Sequence, residues 1–428
     1  MSPAEMKTPG VYIVEKNAFP NSVVQVAAGI PVFIGYTETA ARGDQNLQNM
    51  PTRISSMADY HGIFGAGPNT IVEADKDTGA LGFISGTRYL MYQGLRLFFN
   101  NGGGPCWIVS VGGYRDDAVS AAALIDLPLK ALEGEREPTI MLAPDAVLLE
   151  HDEWAKVANA HLDHCGKLMS RVVILDVPGG DVERNGDRKT DVISGSETGM
   201  RSKITSQSTS YGMAYYPWID TTVLPLTAIG LDGIGPNLRK SLSQMIADAM
   251  EADAEPGSDV EARNKGIEEL AVAVKQADPS KLKETHDAAM AFSEHYKVVM
   301  SQALAMLNRM PPGPGMAGIF AQTDQTVGVF KAPANIPMNS VVRPTVEVSH
   351  DEQENLNVPL DGKAINAIRS FPGRGVLVWG ARTLDGNSQG WRCISVRRTL
   401  IMLEQSINAR LKPMSLNRMS LQPGKRLR

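Results

Sequence analysis

The sequence FPGRGVLVWGARTLDGNSQGW, residues 371–391, places two glycines directly before a short hydrophobic run. Gly373 and Gly375 precede residues 376–379, which have the composition of a buried strand. A phosphate-binding loop has the opposite order, because it follows a strand and opens a helix whose amide groups face the anion. The Lys-Ser/Thr pair of a P-loop does not accompany these glycines either. We therefore expect tight turns and close backbone approach here, and no bound nucleotide.

A second glycine run, at 102–104, follows a predicted helix at 85–100 and precedes a predicted strand at 106–111. This order also differs from that of a phosphate loop. Glycine commonly ends helices because it adopts the left-handed conformation without strain. We expect Gly102 to cap the helix.

Short hydrophobic strands alternate with helical segments along the chain, which predicts an α/β fold (α+β overall) with a mostly parallel sheet and flanking helices. Strands are predicted at 31–36, 106–111, 139–143, 172–177, 213–216 and 376–379. Helices are predicted at 85–100, 150–169, 236–254, 259–276, 281–309 and 395–407. The sequence PPGPG at 311–315 predicts a break in the chain, followed by extended segments at 331–335, 341–350 and 356–360.

Two of the predicted helices have a hydrophobic face that should be buried. In the helix at 281–309 this face consists of Phe292, Tyr296, Val299 and Ala303. In the helix at 395–407 it consists of Val396, Leu400, Leu403 and Ile407.

The composition limits the classes of function. A chain of 428 residues with 43% apolar residues can bury the cores of two or three domains. The net charge of −5 provides no basic excess for binding nucleic acid. Three widely separated cysteines predict a reducing compartment without a disulfide framework. Neither a signal peptide nor a membrane-spanning run is visible, so we expect synthesis in the cytoplasm.

Three groups of residues deserve consideration as chemical sites. His161, His164 and Cys165 could bind zinc, but a fourth ligand and a Cys-x-x-Cys partner are missing, so a half-exposed helix is the expected setting. The acidic residues Asp351, Glu352 and Glu354 could bind calcium, but the run does not have the pattern of an EF-hand loop. We expect a solvated or interface acidic face there.

Asp176, at the end of a predicted strand, could be a catalytic carboxylate. No partner acid or base is evident beside it, and such an isolated acid is more often structural. Neither a G-x-S-x-G elbow nor an H-E-x-x-H helix occurs in the sequence. The sequence therefore gives no catalytic, cofactor-binding or metal-binding residue, and we expect a protein that is not an enzyme and needs no cofactor.

The stretch at 364–407 around the opening glycines resembles the C-terminal core of contractile tail sheath proteins of bacteriophage tails and extracellular contractile injection systems. Five further stretches resemble the same family in the same order: TPGVYIVEKNAFPNSVVQV (8–26), IPVFIGYTE (30–38), LRLFFNNGGGPCWIVSVG (95–112), YGMAYYPW (211–218) and FKAPANIPMNSVV (330–342). The resemblance spans nearly the whole chain up to Ile407, and the region from about 113 to 310 is its least distinctive part.

The resemblance implies a structural subunit of stacked hexameric rings around an inner tube. Such a sheath is metastable when extended and contracts to drive the tube through a target envelope. The implied partners are copies of the chain and sheath paralogues, the inner tube protein, and baseplate and terminal cap proteins, with neither nucleic acid nor membrane insertion involved. The particle would be a phage tail or a tail-like particle of the kind that is released from the cell, and would need no ATP.

The family also implies an organisation of the chain. Residues 1–29 would form an extended N-terminal arm, 30–315 the α/β sheath domains with a variable helical region at about 230–310, and 316–407 a truncated C-terminal core. The segment 1–26 is β-prone and has few neighbours with which to close a sheet, as strand donation to another subunit requires.

The tail at 408–428 departs from the family. It is basic and rich in Met and Leu, without helical or strand periodicity, so we expect poor order. Codons for part of it can be read one base out of frame to give sequence like that of relatives, which leads to the hypothesis of a frameshift after Ile407. Two other functions remain open: a sheath-like baseplate or cap adaptor, and an α/β enzyme with an unrecognised site.

Overall fold

The computed structural model describes residues 28–114, 118–251 and 258–419, with side chains to Asn408. The predicted N-terminal arm at 1–29 therefore lies almost entirely outside the described residues, as does the end of the tail. Residues Ala27–Ile401 form one compact unit.

The strands and helices of the described residues have the following bounds. The strands are β1 (Pro31–Thr37), β2 (Ala41–Arg42), β3 (Gln45–Asn46), β4 (Thr52–Ile54), β5 (Val72–Ala74), β6 (Leu81–Phe83), β7 (Cys106–Gly113), β8 (Ile140–Leu142), β9 (Val172–Asp176), β10 (Gly212–Tyr216), β11 (Ile219–Thr221), β12 (Arg309–Met310), β13 (Val341–Pro344), β14 (Asn366–Phe371) and β15 (Gly375–Val378). The helices are α1 (Met57–Phe64), α2 (Met91–Asn100), α3 (Ala121–Leu132), α4 (His151–Leu168), α5 (Met200–Lys203), α6 (Pro236–Ala247), α7 (Asp259–Gln276), α8 (Leu282–Phe292), α9 (Glu294–Leu307), α10 (Gly313–Thr326), α11 (His350–Asn357) and α12 (Ile394–Met419).

Eight strands form the central sheet, in the order β15-β14-β10-β9-β8-β1-β7-β4. Its six inner strands are parallel to one another, and each edge strand, β15 or β4, is antiparallel to the inner strand beside it. Every residue of β1 and β9 is buried, which is typical of parallel strands covered on both faces. The predicted α/β fold with a mostly parallel sheet is therefore confirmed.

Alternate residues of the sheet enter two different hydrophobic clusters, because successive side chains of a strand point to opposite faces. Val32 and Ile34 of β1 pack on the face that α3 and α4 cover. Phe33 packs on the opposite face, with α2 and α10. The sheet is thus the middle layer of a three-layer arrangement.

The helices α2 and α10 cross closely because small residues lie at their contact. A Cβ atom at Gly318 would lie 2.5 Å from the Phe98 carbonyl oxygen, and one at Gly94 would lie 2.9 Å from Cγ of Pro314. Ten of the 14 residues of α10 are buried. The predicted chain break at 311–315 is therefore wrong: Gly313, Pro314 and Gly315 form the buried first turn of α10, and proline is well tolerated in a first turn. The division of the chain into sheath domains at 315 stays a prediction.

A separate hydrophobic cluster joins the helices α6, α7 and α9 to the small β5–β6 hairpin. The predicted helix at 281–309 is two helices, because Ser293 ends α8 and caps α9, where its side chain accepts a hydrogen bond from the Tyr296 amide at 3.2 Å. Tyr296 and Ala303 are buried as predicted. Phe292 is exposed, because it belongs to the preceding helix.

Two further segments differ from the prediction. Helix α11 begins at a capping box formed by Ser349 and Glu352, and it takes in the ends of two segments that were predicted as extended, 341–350 and 356–360. The last helix, α12, continues to Met419, although the sequence of the tail shows no helical periodicity, and the expected poor order of the tail stays a prediction. Residues 420–428 lie outside the described range, and the frameshift stays a hypothesis.

Candidate functional site

The glycines of the opening stretch form a hairpin turn. Gly373 and Gly375 have φ angles of 73° and 76°, in the left-handed region, and connect β14 to β15. The Arg374 amide donates to the Phe371 carbonyl at 3.0 Å and closes the turn. The turn joins two strands and opens no helix, so the arrangement lacks the geometry of a phosphate loop.

Two later glycines of the stretch allow the close backbone approach that the sequence predicted. A Cβ atom at Gly380 would lie 2.7 Å from Oδ1 of Asn366, and one at Gly386 would lie 2.7 Å from Cβ of Ala364. The Asn366 side chain is buried and bonds to three backbone groups: its Nδ2 donates to Ala214 and Arg382 carbonyls at 3.1 and 2.8 Å, and its Oδ1 accepts from the Arg382 amide at 2.7 Å. The stretch is thus fastened to the centre of the sheet.

The glycine run at 102–104 ends α2. Gly102 has a φ angle of 84°, and its amide bonds to the Phe99 carbonyl at 3.2 Å. The Gly103 amide bonds to the Phe98 carbonyl at 3.0 Å, which completes a Schellman motif. The predicted capping role of Gly102 is confirmed.

The candidate zinc residues lie on the predicted half-exposed helix, α4, whose exposed residues include Asp152 and Asp163, and all three occupy its buried side. His161 and Cys165 are buried on the inner face of α4, and the His161 ring Nε2 lies 3.0 Å from the Leu124 carbonyl oxygen. Burial lowers the pKa values of His161 and His164 to about 4 and raises the pKa of Cys165 to about 12, so all three are neutral at pH 7. No cluster that could hold a metal ion occurs within the ranges the structure describes.

Two residues of the acidic run, Asp351 and Glu352, lie in the first turn of α11, and Glu354 follows that turn. Asp351 and Glu354 are exposed, and Glu352 belongs to the capping box. Carboxylates in a first turn interact favourably with the helix dipole. This position accounts for the acidic residues without a calcium ion.

Asp176, the candidate catalytic carboxylate, is buried at the end of β9 and caps α10. Its Oδ1 accepts a hydrogen bond from the Gly313 amide at 2.8 Å. Burial raises the pKa of Asp176 to about 7.

Sequence reasoning missed a second buried carboxylate with the same role. Asp145 follows β8, and it accepts hydrogen bonds from the amides of Tyr36, Leu90 and Met91, at 3.0, 2.6 and 3.2 Å. Burial raises its pKa to about 6. The signal available in the sequence was the order of strand, proline and aspartate at 140–145, the same order of strand and acid as at Asp176.

Both edges of the central sheet are protected. The outer side of β15 bonds to the segment 335–338: the amides of Asn335 and Met338 donate to Val378 and Val376 carbonyls at 2.7 and 3.1 Å, and the Val378 amide donates to the Ile336 carbonyl at 3.1 Å. The other edge strand, β4, has three residues, and its exposed Arg53 pairs with Glu137. Short edge strands with charged side chains discourage unspecific pairing.

The helix α12 exposes apolar residues that were predicted from the sequence to be buried. Val396, Leu403 and Ile407 are between 43% and 52% exposed. The side that is buried instead carries Ile394 and Ile401 together with two arginines. The predicted buried stripe is therefore wrong for these three residues, and its fourth member, Leu400, is half-buried. None of the helices in the described ranges is both long and apolar enough to cross a bilayer.

Comparison with known proteins finds likeness in structure alone: neither a protein-family model nor a curated protein matches the sequence. The helical sheath of the anti-feeding prophage in its contracted state contains a chain that is 23% identical, with a TM-score of 0.51, over 98% of this chain and 78% of that one. A chain of the anti-feeding prophage baseplate gives 22% identity, a TM-score of 0.51 and the same coverage.

The contracted PVC sheath complex, an extracellular contractile injection system, gives 20% identity and a TM-score of 0.50 over 98% of this chain and 77% of that one. At these identities the likeness establishes the fold. The chain thus has the fold of chains in contractile injection systems, and the resemblance inferred from the sequence is confirmed at that level.

Proposed function

We propose that this chain is a structural subunit of a contractile sheath, which assembles as stacked hexameric rings around an inner tube and contracts to drive the tube through a target envelope. The observation that carries the proposal is the fold shared over 98% of the chain with two sheath structures, both in the contracted state. The stretches of sequence that resemble sheath proteins are a second support for the proposal. They include the hairpin and the glycine cap described above.

A mechanical role without catalysis is consistent with the roles of the candidate residues. Asp176 caps a helix, the α4 histidines are neutral and buried, and the glycines of the hairpin form a turn. Each of these features has a structural explanation that needs neither substrate nor cofactor. We infer that contraction uses energy stored during assembly rather than nucleotide hydrolysis.

The proposed partners are further copies of the chain, sheath paralogues, an inner tube protein, and baseplate and cap proteins. The particle would be assembled in the cytoplasm and act as a phage tail or an extracellular tail-like particle. Donation of a strand by residues 1–26 to a neighbouring subunit belongs to this proposal and concerns residues outside the described ranges.

Electron microscopy of particles produced from the complete gene cluster, with an epitope tag on this chain, tests the proposal. We expect striated cylinders that carry the tag along their whole length and that shorten without added ATP. A tag confined to one end would indicate an adaptor instead of a sheath subunit. A chain that stays monomeric beside its partner proteins would contradict the proposal altogether.

A further inference from the structure

The outer side of α12 exposes two large apolar side chains on consecutive turns. Leu403 is 45% exposed and Ile407 is 52% exposed. Because they are four residues apart, they are neighbours on one face of the helix, separated by about 6 Å along its axis. Neighbouring apolar side chains on a surface commonly mark a place where another segment packs.

The chain enters the described structure beside the start of this helix. Gly29 has a φ angle of 74° and lies so close to α10 that an added Cβ atom would be 2.8 Å from Oδ2 of Asp324. Arg398, near the start of α12, donates a hydrogen bond to Oδ1 of the same carboxylate at 3.0 Å. The residues before Gly29 therefore depart from a point next to α12.

The last residues before Gly29 are long enough to reach the exposed side of α12. An extended chain covers about 3.3 Å per residue, so Val26 and Val24 can extend about 10 and 17 Å from Gly29. The two exposed residues of α12 lie about 8 and 14 Å beyond Arg398 along the helix axis, and a helix with its side chains is about 10 Å wide. These distances match.

The sequence SVVQV at 22–26 also has the pattern that such a contact requires. In an extended strand, Val24 and Val26 would point to one side with about 6.6 Å between them, and Val23 and Gln25 would point to the other side. The spacing of the two valines is close to the rise of about 6 Å between the exposed residues of α12. The polar Gln25 would then face the solvent.

We propose that residues 22–26 cover Leu403 and Ile407 of the same chain while the chain is unassembled. The segment is tied to the site by a few residues, so its effective concentration there is about millimolar, and a second copy at micromolar concentration competes poorly. Burial of apolar side chains on both segments supplies the attraction.

This contact goes beyond the proposed sheath function, because it lies within one chain. It has one consequence that rests on that function. If residues 1–26 are donated to a neighbouring subunit, the segment must first leave α12, so the contact would delay assembly. The same face of α12 would then become free for a partner in the assembly.

The rate at which iodoacetamide, an uncharged reagent, alkylates a cysteine on this face measures the cover. The reporter is Leu403→Cys in the full chain. All proteins also carry Cys393→Ser, since Cys393 is exposed, whereas Cys106 and Cys165 are buried. Leu127→Cys on α3 is the reference reporter, because that position is 58% exposed.

Substitutions in the segment show whether it is the cover. Val24→Asn with Val26→Asn should speed alkylation of the cysteine at position 403 about tenfold, because two apolar contacts are lost. Val23→Asn is the matched control, since it makes the same chemical change on the other side of the strand, and it should alter the rate less than about twofold. Neither change should affect the reference reporter at position 127.

Three results would overturn the proposal. The first is an unchanged rate at position 403 in the double valine variant. The second is an equal increase caused by Val23→Asn. The third is protection that disappears on about tenfold dilution of the protein, which would identify a second copy as the occupant. If Leu403→Cys does not fold, Ile407→Cys replaces it with the same expected ratios. The assay uses the isolated chain, so its result does not depend on whether the chain forms a sheath.

Discussion

Two buried aspartates show how a single residue can resemble a catalytic group while stabilising the fold. Asp176 ends the strand β9, and Asp145 follows the strand β8. Each accepts a hydrogen bond from a backbone amide at the start of a helix. The first amides of a helix have no partner inside the helix, so a carboxylate there supplies both a hydrogen bond and a favourable charge. Burial works against that charge and raises both pKa values.

Asp176 should make the stability of the chain depend on pH. Its pKa rises from an ordinary value near 3.8 to about 7 on folding, so the folded state holds the proton more tightly. Stability from this group is therefore complete below pH 3.8 and is lost as the pH rises through 7. Asp176→Asn keeps an oxygen acceptor but cannot ionise. The free energy of unfolding of the variant, compared with that of the natural chain, should therefore increase as the pH rises from 4 to 7. The increase should be about 1.4 kcal/mol for each tenfold difference in proton affinity between the folded and unfolded states of the natural chain.

Urea unfolding at several pH values measures this difference. The comparison uses the difference between the two proteins, since Asp145 and other groups titrate identically in both. If the free energies of unfolding of the variant and the natural chain changed in parallel with pH, ionisation of Asp176 would not destabilise the folded state, and the prediction would be wrong.

A pair of helical glycines separates close packing from helix propensity. Gly318→Ala would place a Cβ atom 2.5 Å from the Phe98 carbonyl oxygen, so α10 would have to move away from α2. We expect a loss of about 1–3 kcal/mol in the free energy of unfolding. Gly266 of α7 is the matched control, because no atom lies within 4 Å of its added Cβ. Gly266→Ala should stabilise by about 0.5–1 kcal/mol. Denaturant unfolding checks both values, and the same sign for both changes would contradict the close crossing.

At the scale of elements, hydrophobic pattern predicted the sheet better than the helix boundaries. The strands β1, β7 and β9 lie within two residues of their predicted ends, because a buried parallel strand is a continuous apolar run between turn residues. The break between α8 and α9 and the start of α11 were missed although Ser293 and Ser349 are ordinary N-cap residues. The pattern PPGPG predicts a loop from local propensity, and packing against α2 overrides it.

The orientation of α12 could not be predicted from hydrophobicity because two arginines lie on its buried side. Arg397 is held between the rings of Tyr211 and Trp391, at 4.1 and 3.7 Å from their centres. Arg398 forms two hydrogen bonds with the carboxylate of Asp324 on α10. From sequence alone an arginine is assigned to the surface unless its partner is known. The partner of Arg398, Asp324, is 74 residues away in the sequence.

The Arg398–Asp324 ion pair should fix the start of α12 in place. Both side chains are almost fully buried, so Arg398→Met leaves an unpaired buried carboxylate and should cost about 3–5 kcal/mol of unfolding free energy. The double variant Arg398→Met with Asp324→Leu should recover most of that loss, because it removes both charges. The exposed pair Arg53–Glu137 is the control, and Arg53→Met should cost less than about 1 kcal/mol. Denaturant unfolding of the natural chain, the single variants Arg398→Met and Asp324→Leu, the double variant and the control tests this, and a double variant whose loss equals the sum of the two single losses would contradict the coupling.

At the scale of the whole molecule, the meeting of α2 with the loop at 224–233 could not be found from the sequence. The loop at 224–233 lies beside Gln93 of α2 only because the chain returns after more than 130 residues. No local pattern marks such a meeting. By contrast, the hairpin at 371–375 was correctly interpreted because a turn depends on neighbouring residues alone.

The exposed apolar residues of α12 bear on the proposed assembly. Large apolar side chains that repeat along one helix are usually covered by a partner, and an assembling sheath subunit would have one. The triple variant Val396→Gln, Leu403→Gln and Ile407→Gln should leave unfolding within about 0.5 kcal/mol per change, since these side chains are exposed. It should nevertheless give few or short cylinders. Leu127→Gln on α3, where the side chain is 58% exposed, is the control and should assemble normally. Cylinders of normal length and number from the triple variant, counted by electron microscopy, would exclude this surface from the subunit contacts while leaving the shared fold intact.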